Sequence, residues 1–327
     1  MMRYSVPLML LAICLTLAVP AAAEQSAVQP RQLEFTYSVR VSDLPADAAS
    51  AYVWIPVPLS DEHQQLQGYK TAGGLDYADV SEPVYGNRFL RLDLSKLDRG
   101  AAELAVTFEV LRYPQLAAAG ATWALDNAGR ARWTQPNAMV PLGGPPADEA
   151  VAVVAGEQDA YARGRLLYDN IVGTVAYDKS GEGWGRGDAL YACDVRAGNC
   201  TDFHSLFIGQ ARSLDIPARF TMGFPVPAGE TAGEIGGYHC WAEFWAEGHG
   251  WVPLDASEAR KHPELKEELF GSLPADRIAF TRGRDYQLPG ASAEPLNFLI
   301  YPHVEVDGQP HASIEHSFSF RELPAGE

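Results

Sequence analysis

The sequence predicts an α+β protein on three observations. Apolar and polar residues alternate with period two near both ends of the chain. Apolar residues recur at helical spacing in the middle, over 160–171 and 200–214. Alternating runs resume from about Arg219, so helices come before antiparallel strands there. At 327 residues the chain exceeds what one hydrophobic core usually spans, and two or three packed units are expected.

Taken in order, residues 1–23 read as a secretory signal. Arg3 is a short positive start, 8–19 an apolar stretch too short to cross a bilayer, and Ala21-Ala22-Ala23 a small-residue cleavage site. Cys14 follows Ile13, where a lipidation signal needs a small residue, so no membrane anchor is expected after cleavage, and the product is periplasmic or secreted. Leu33, Phe35, Tyr37, Val39 and Val41 then alternate with Glu34, Thr36, Ser38 and Arg40, and Leu104, Val106, Phe108 and Val110 repeat the pattern. With strands also at 52–55 and 89–92, residues 24–115 predict a β-sandwich accessory domain. Residues 116–147, rich in Ala, Gly and Pro and ending in Gly143-Gly144-Pro145-Pro146, suit an ordered linker.

The unit at 148–262 opens with a helix bearing Ala160, Gly164, Leu167 and Ile171 on one face. A second helix, from Cys200, carries Phe203, Leu206, Phe207, Ala211 and Leu214 and stops before Pro217. Residues 263–327 return to strands at 297–301, 304–306 and 314–320, with a turn at Asp307-Gly308, and predict a β-rich C-terminal extension.

A net charge of −17 repels phosphate backbones and anionic membranes, and no Lys/Arg cluster offsets it, which excludes nucleic-acid binding. Of four cysteines, Cys193, Cys200 and Cys240 lie beyond the signal, an odd count for an oxidising compartment.

Cys200 carries the first chemical signal. Asn199 is a good N-cap and Asp202 can close a capping box, which puts Cys200 in the first turn of its helix. Free N–H groups there favour a thiolate and can hold an oxyanion. In the run 238–245, His239, Trp241, Glu243 and Trp245 share one face while Tyr238, Cys240, Ala242 and Phe244 share the other. A hairpin turn at Glu247-Gly248-His249-Gly250 brings back the strand ending at Asp255. If Phe244 pairs with Gly250, His239 lies opposite Asp255, and a nucleophile, base and orienting carboxylate fall together.

Three blocks carry a resemblance: Gly198-Asn199-Cys200-Thr201-Asp202 with 214–219, His239-Cys240-Trp241-Ala242-Glu243, and Gly250-Trp251-Val252-Pro253-Leu254-Asp255. In these the sequence resembles the transglutaminase-like superfamily, notably bacterial members described as predicted cysteine proteases. The resemblance implies a papain-like core with a helix-borne cysteine and an antiparallel sheet, flanked here by the N-terminal sandwich and the C-terminal extension. It also implies Cys200 as nucleophile, His239 as base and Asp255 as carboxylate, acting on amide or peptide bonds through a thioester with no cofactor. Animal members bind the oxyanion with a tryptophan upstream of the cysteine, and Trp184 is the one closely upstream here. Peptide or protein substrates, including cell-envelope peptides, would be the partners.

Cys240 faces away from His239 on the strand, so a Cys193–Cys240 disulfide that leaves Cys200 free is expected. The competing reading is a metal site drawn from Cys193, Cys200, His204, His239 and Cys240; it gives Asp255 no role and asks two residues on opposite faces to share an ion. A third reading keeps the fold as a peptide-binding scaffold without turnover, against which the intact trio counts.

Overall fold

The computed structural model describes residues 29–324 apart from 75, 96–99 and 293, and the expected signal at 1–23 lies outside them. The first six strands are β1 (Arg31–Ser42), β2 (Ala51–Pro56), β3 (Gln64–Ala72), β4 (Tyr77–Ser81), β5 (Arg88–Asp93) and β6 (Ala101–Arg112). Six helices follow: α1 (Asn127–Trp133), α2 (Pro145–Val154), α3 (Ala160–Thr174), α4 (Ala189–Val195), α5 (Cys200–Ser213) and, after a sheet hairpin, α6 (Ala256–Lys261). The later strands are β7 (Ala218–Pro225), β8 (Ala232–Ile235), β9 (His239–Ala246), β10 (Gly250–Leu254), β11 (Arg277–Arg282), β12 (His303–Val306) and β13 (Ile314–Glu322).

Strands β7 and β9 to β11 form a four-stranded sheet in the order β10-β9-β7-β11, antiparallel throughout. Helix α5 packs across it and is buried from Cys200 to Arg212. The sequence showed only its apolar stripe; most of the buried polar groups on its other faces are partnered. Ser205 Oγ accepts from Arg284 Nη1 at 2.6 Å, Gln210 donates to Glu149 at 3.0 Å, and Arg212 donates to the Ala218 carbonyl and to Asn137.

Helix α3 lies closest to the sheet at Gly164, where a Cβ would overlap the ring of Phe244 on β9. The edge of β11 is covered by the Gln64 side chain, which exchanges two 2.8 Å hydrogen bonds with the backbone of Ala279, as a neighbouring strand would. Glu243, on the far face of β9, is held to about 2, because Arg219 and Arg282 overcome the effect of its burial.

Two further sheets have the orders β8-β13-β1-β6-β3 and 309–310-β12-β2-β5-β4. The strands after residue 263 therefore do not form sheets of their own. β13 pairs with β1 over nine residue pairs, from Leu33 opposite Glu322 to Val41 opposite Ile314, and β12 pairs with β2. The inward residues Phe35 and Tyr37 of β1 meet Phe224 of the four-stranded sheet and Phe318 of β13, so the core is continuous.

Two local expectations differ from the structure. Residues 297–301, apolar enough for a strand, form none. Their backbone groups are taken by hydroxyls instead: Tyr37 donates to Ile300 O at 2.8 Å, Thr281 to Leu299 O at 2.9 Å, and Leu299 N donates to Tyr286 at 2.9 Å. The segment read as a linker contains α1, capped by Asp126, and residues 115–116 pair with 272–273. Among the described residues no helix is long and apolar enough to cross a membrane.

Gly164→Ala is expected to lower stability by about 1–3 kcal/mol, an overpacking cost. Phe244→Leu in that background should recover part of the loss, as read by urea denaturation. Additive losses would mean that the close approach at Gly164 does not set the helix–sheet spacing.

Candidate active site

Cys200 is the first residue of α5 and 3% exposed. Asn199 accepts from Thr201 N at 2.9 Å, and Asp202 reaches back to Asn199 N at 2.9 Å, so the capping box is complete. The same carboxylate accepts from Gly185 N at 2.7 Å and Gly187 N at 3.0 Å, tying the loop that holds half-buried Trp184 to the start of the helix. Gly198 makes room for this fold-back, since a Cβ there would stand 2.6 Å from Asp202 Cβ.

His239 opens β9 and is 7% exposed. Its Nε2 lies 2.6 Å from Asp255 Oδ2. The expected pairing of Phe244 with Gly250 is not the one observed: Ala246 pairs with Gly250, and 247–249 form the connection. Left-handed backbone at Gly248 and Gly250, with φ of +78° and +68°, tightens the turn by two residues. An even shift keeps every side chain on its face. Asp255 therefore lies beyond the strand end and reaches back diagonally to His239.

That position gives Asp255 four partners at zero exposure. As the N-cap of α6 its Oδ1 accepts from Glu258 N at 3.0 Å and Ser257 Oγ at 2.9 Å, while Oδ2 takes His239 and Arg277 Nη1, the latter at 3.1 Å. Burial opposes its charge, but His239 and Arg277 hold the carboxyl well below the usual range. In return Asp255 outweighs the burial of His239 and raises the imidazole to about 10. Cys200 is lowered to about 6, first by a hydrogen bond from Cys240, then, against its own burial, by the hydrogen bond and charge of His239. Between these values the stable form is a thiolate–imidazolium pair.

Sequence reasoning missed Arg277, which comes from β11, outside the expected 148–262 unit, and shows no local signal. It gave His204 only a metal-ligand role; the helical spacing from Cys200 was visible, but the strand opposite was not. His204 Nε2 accepts from Ala256 N at 3.2 Å, and its Nδ1 lies 3.5 Å from Cys240 Sγ.

The expected Cys193–Cys240 disulfide is absent: Cys193, Cys200 and Cys240 are all free. The reason is helix α5, which stands between them. Cys193 lies 3.5 Å from Glu149 Oε2, the oxygen that Gln210 of α5 also meets, whereas Cys240 lies at His204, about 120° around the same helix. Cys240 instead faces helix α5, where its Sγ lies 3.5 Å from His204 Nδ1. Among the described residues no group of three His, Cys, Asp or Glu side chains is arranged to hold a metal.

A cleft of about 350 Å³ opens at His239 and Arg277. Tyr177, Val226, Pro227, Tyr238 and Leu269 are among its walls, and Glu258, Lys261 and Asp276 are charged groups around it. A larger groove, about 490 Å³, crosses strands β1, β6 and β13 at Ser38, Arg40, Glu103 and Glu315, away from this chemistry. Trp241, 1% exposed, lies under the Arg277 guanidinium, while Trp245 and Trp251 pack on each other.

Residues 148–256 match the sequence model of the transglutaminase-like superfamily. An uncharacterized protein of Haemophilus influenzae is 26% identical over 324 aligned positions, covering 86% of this chain and 88% of its own. Among solved structures, a candidate cysteine protease from Cytophaga hutchinsonii superposes with a TM-score of 0.62 at 15% identity, over 91% of this chain and 93% of that one. The periplasmic domain of TgpA from Pseudomonas aeruginosa gives 0.41 at 17% identity, over 72% and 91%. The first of these likenesses establishes the fold.

Alkylation of Cys200 by iodoacetamide should rise with pH through a midpoint of about 6, since the thiolate forms above that value. Asp255→Asn keeps the α6 cap, weakens the imidazolium, and should move the midpoint upward. A wild-type midpoint above 8 in the rate profile would contradict the ion pair.

Proposed function

We propose that this chain, whose residues 148–256 form a transglutaminase-like core, is an exported cysteine-dependent acyl-transfer enzyme acting on amide bonds of peptides or proteins. The observation that carries the reading is the 2.6 Å contact of His239 with a fully buried Asp255, with Cys200 opening the helix packed against the strand that His239 begins. Such an arrangement supports a nucleophile, a base and an orienting carboxylate in the named roles.

In this mechanism the Cys200 thiolate attacks the amide carbonyl and forms a C–S bond. The oxyanion is held by the backbone N–H of Cys200 at the start of α5, with Trp184 as a further proposed partner. The His239 imidazolium gives its proton to the departing amine as the C–N bond breaks, which leaves a thioester and a neutral ring. Water or a second amine then attacks the thioester, His239 takes its proton, and the thiolate departs. Asp255 stays ionised throughout and fixes the orientation of the ring. No step calls for a cofactor.

Peptide substrates follow from the transglutaminase-like fold. Export follows from Arg3, the apolar stretch and the Ala21-Ala22-Ala23 site. Envelope peptides, including peptidoglycan stems, share that location and are the proposed substrates. Enzyme action is preferred to a silent scaffold because a buried carboxylate on a histidine beside a thiol has no role in peptide binding alone.

The deciding experiment incubates the full chain with a peptide library, with and without added amine, and follows products by mass spectrometry. Cleaved or amine-bearing products in wild type that vanish in Cys200→Ala are expected. Asp255→Asn should retain more turnover than Cys200→Ala, because the helix start remains to hold the oxyanion. Turnover in Cys200→Ala at a tenth of wild type or more would refute the role of the thiol.

A further inference from the structure

Cys200 and His239 stand on different elements, α5 and β9, and each is preceded by a residue whose side chain turns to the other element. Asn199 is 4% exposed and uses both ends of its amide. Its Oδ1 accepts from Thr201 N at 2.9 Å and from Thr201 Oγ1 at 2.5 Å, which caps the helix. Its Nδ2 donates to Tyr238 Oη at 3.0 Å. Capping alone needs only an acceptor, which Ser or Asp would supply as well. The amide adds a donor, and that donor goes to the residue before His239. Tyr238 is half-buried in the cleft wall, and its ring is held from behind. Tyr301 lies edge-on to it at 5.6 Å, and Tyr301 Oη accepts from Tyr238 N at 3.5 Å. Tyr301 in turn stacks on His316 of β13 at 4.3 Å. The Tyr238 hydroxyl is thus presented to Asn199 by a ring with little freedom of its own.

Resting on the reading of Cys200 as nucleophile and His239 as base, we propose that Tyr238 is a positioning residue: its hydroxyl, held by the Asn199 amide, locks the start of β9 to the start of α5 and so fixes how the imidazole meets the thiol. Asn199-Cys200 and Tyr238-His239 are two dipeptides joined at one end by a hydrogen bond, with the thiol and the imidazole one residue from the joint. Movement at the joint passes directly to the reacting pair, and a misplacement of about 1 Å can cost about a hundredfold in rate. The bond of His239 to Asp255 sets the direction of the ring. The bond of Tyr238 to Asn199 sets the spacing of the elements that carry ring and thiol. The charged groups around this pair are Asp202 on α5, Asp255 and Glu258 beside His239, and Lys261 and Arg277 at the cleft.

The test reads the pH profile of Cys200 alkylation by iodoacetamide, with the site identified by peptide mass, in wild type, Tyr238→Phe, Asn199→Ser and the double variant. Phenylalanine keeps the ring and loses the hydroxyl; serine keeps the cap and loses the amide donor. Each single variant should move the acid limb up by about half a pH unit, so that alkylation below the limb slows about threefold while the alkaline plateau is kept. The double variant should match the singles, since both remove the same bond. An unmoved limb in Tyr238→Phe, even with lowered stability, or single-variant shifts that add in full in the double variant, overturns the proposal. Should one single variant fail to fold, the limb of the other decides alone. A wild-type Cys200 inert below pH 8 defeats the reading of Cys200 and the proposal with it, whereas a wild-type limb near pH 6 that Tyr238→Phe leaves in place defeats the positioning role only.

Discussion

The Asp255 carboxylate is the constraint on which the site depends. A fully buried anion is costly unless each oxygen is occupied, and here both are. One oxygen starts a helix and the other takes an imidazole and a guanidinium. Three separate elements, α6, β9 and β11, are thereby fixed relative to one atom group. Removing the charge loosens all three together, so stability and chemistry are coupled at this residue.

The same carboxylate has two histidines nearby and favours the charged form of each, yet the two end on opposite sides of the ordinary value. His239, 2.6 Å from Oδ2, is raised, whereas His204, 3.6 Å from Oδ1, is lowered. Burial is common to both and lowers both. The difference is the direct hydrogen bond that His239 makes to Asp255, whereas the His204 nitrogen nearest Asp255 accepts from the backbone N–H of Ala256. Hydrogen bonding thus leaves one imidazole to carry charge and the other to stay neutral, a division of environments found wherever acid and base roles are separated.

Much of the core was legible because its signals are local. The capping box at Asn199 and Asp202, the stripe on α5 and the alternation through β9 each depend on residues within a few positions of one another. What was not legible depends on distance along the chain. The register of the β9–β10 hairpin turned on two glycines with positive φ, Arg277 comes from a strand with no marker of its own, and the free state of Cys193 reflects a helix standing in the way. The all-round burial of α5 was hidden for the same reason, since Arg284, Glu149 and Asn137, which satisfy its polar face, lie far off in sequence.

The pairing of β1 with β13 bears on how the molecule is made. Arg31 and Glu322, joined across it, are 291 positions apart, while the helices and the four-stranded sheet between them are built from nearer neighbours. A chain threaded from its amino end presents β1 long before its partner exists, and closing so large a loop costs entropy that nearby pairings do not. Until β13 arrives, one side of an apolar strand is an open hydrogen-bonding edge. Pairings among neighbours in the chain therefore form at less entropic cost than the one that joins β1 to β13.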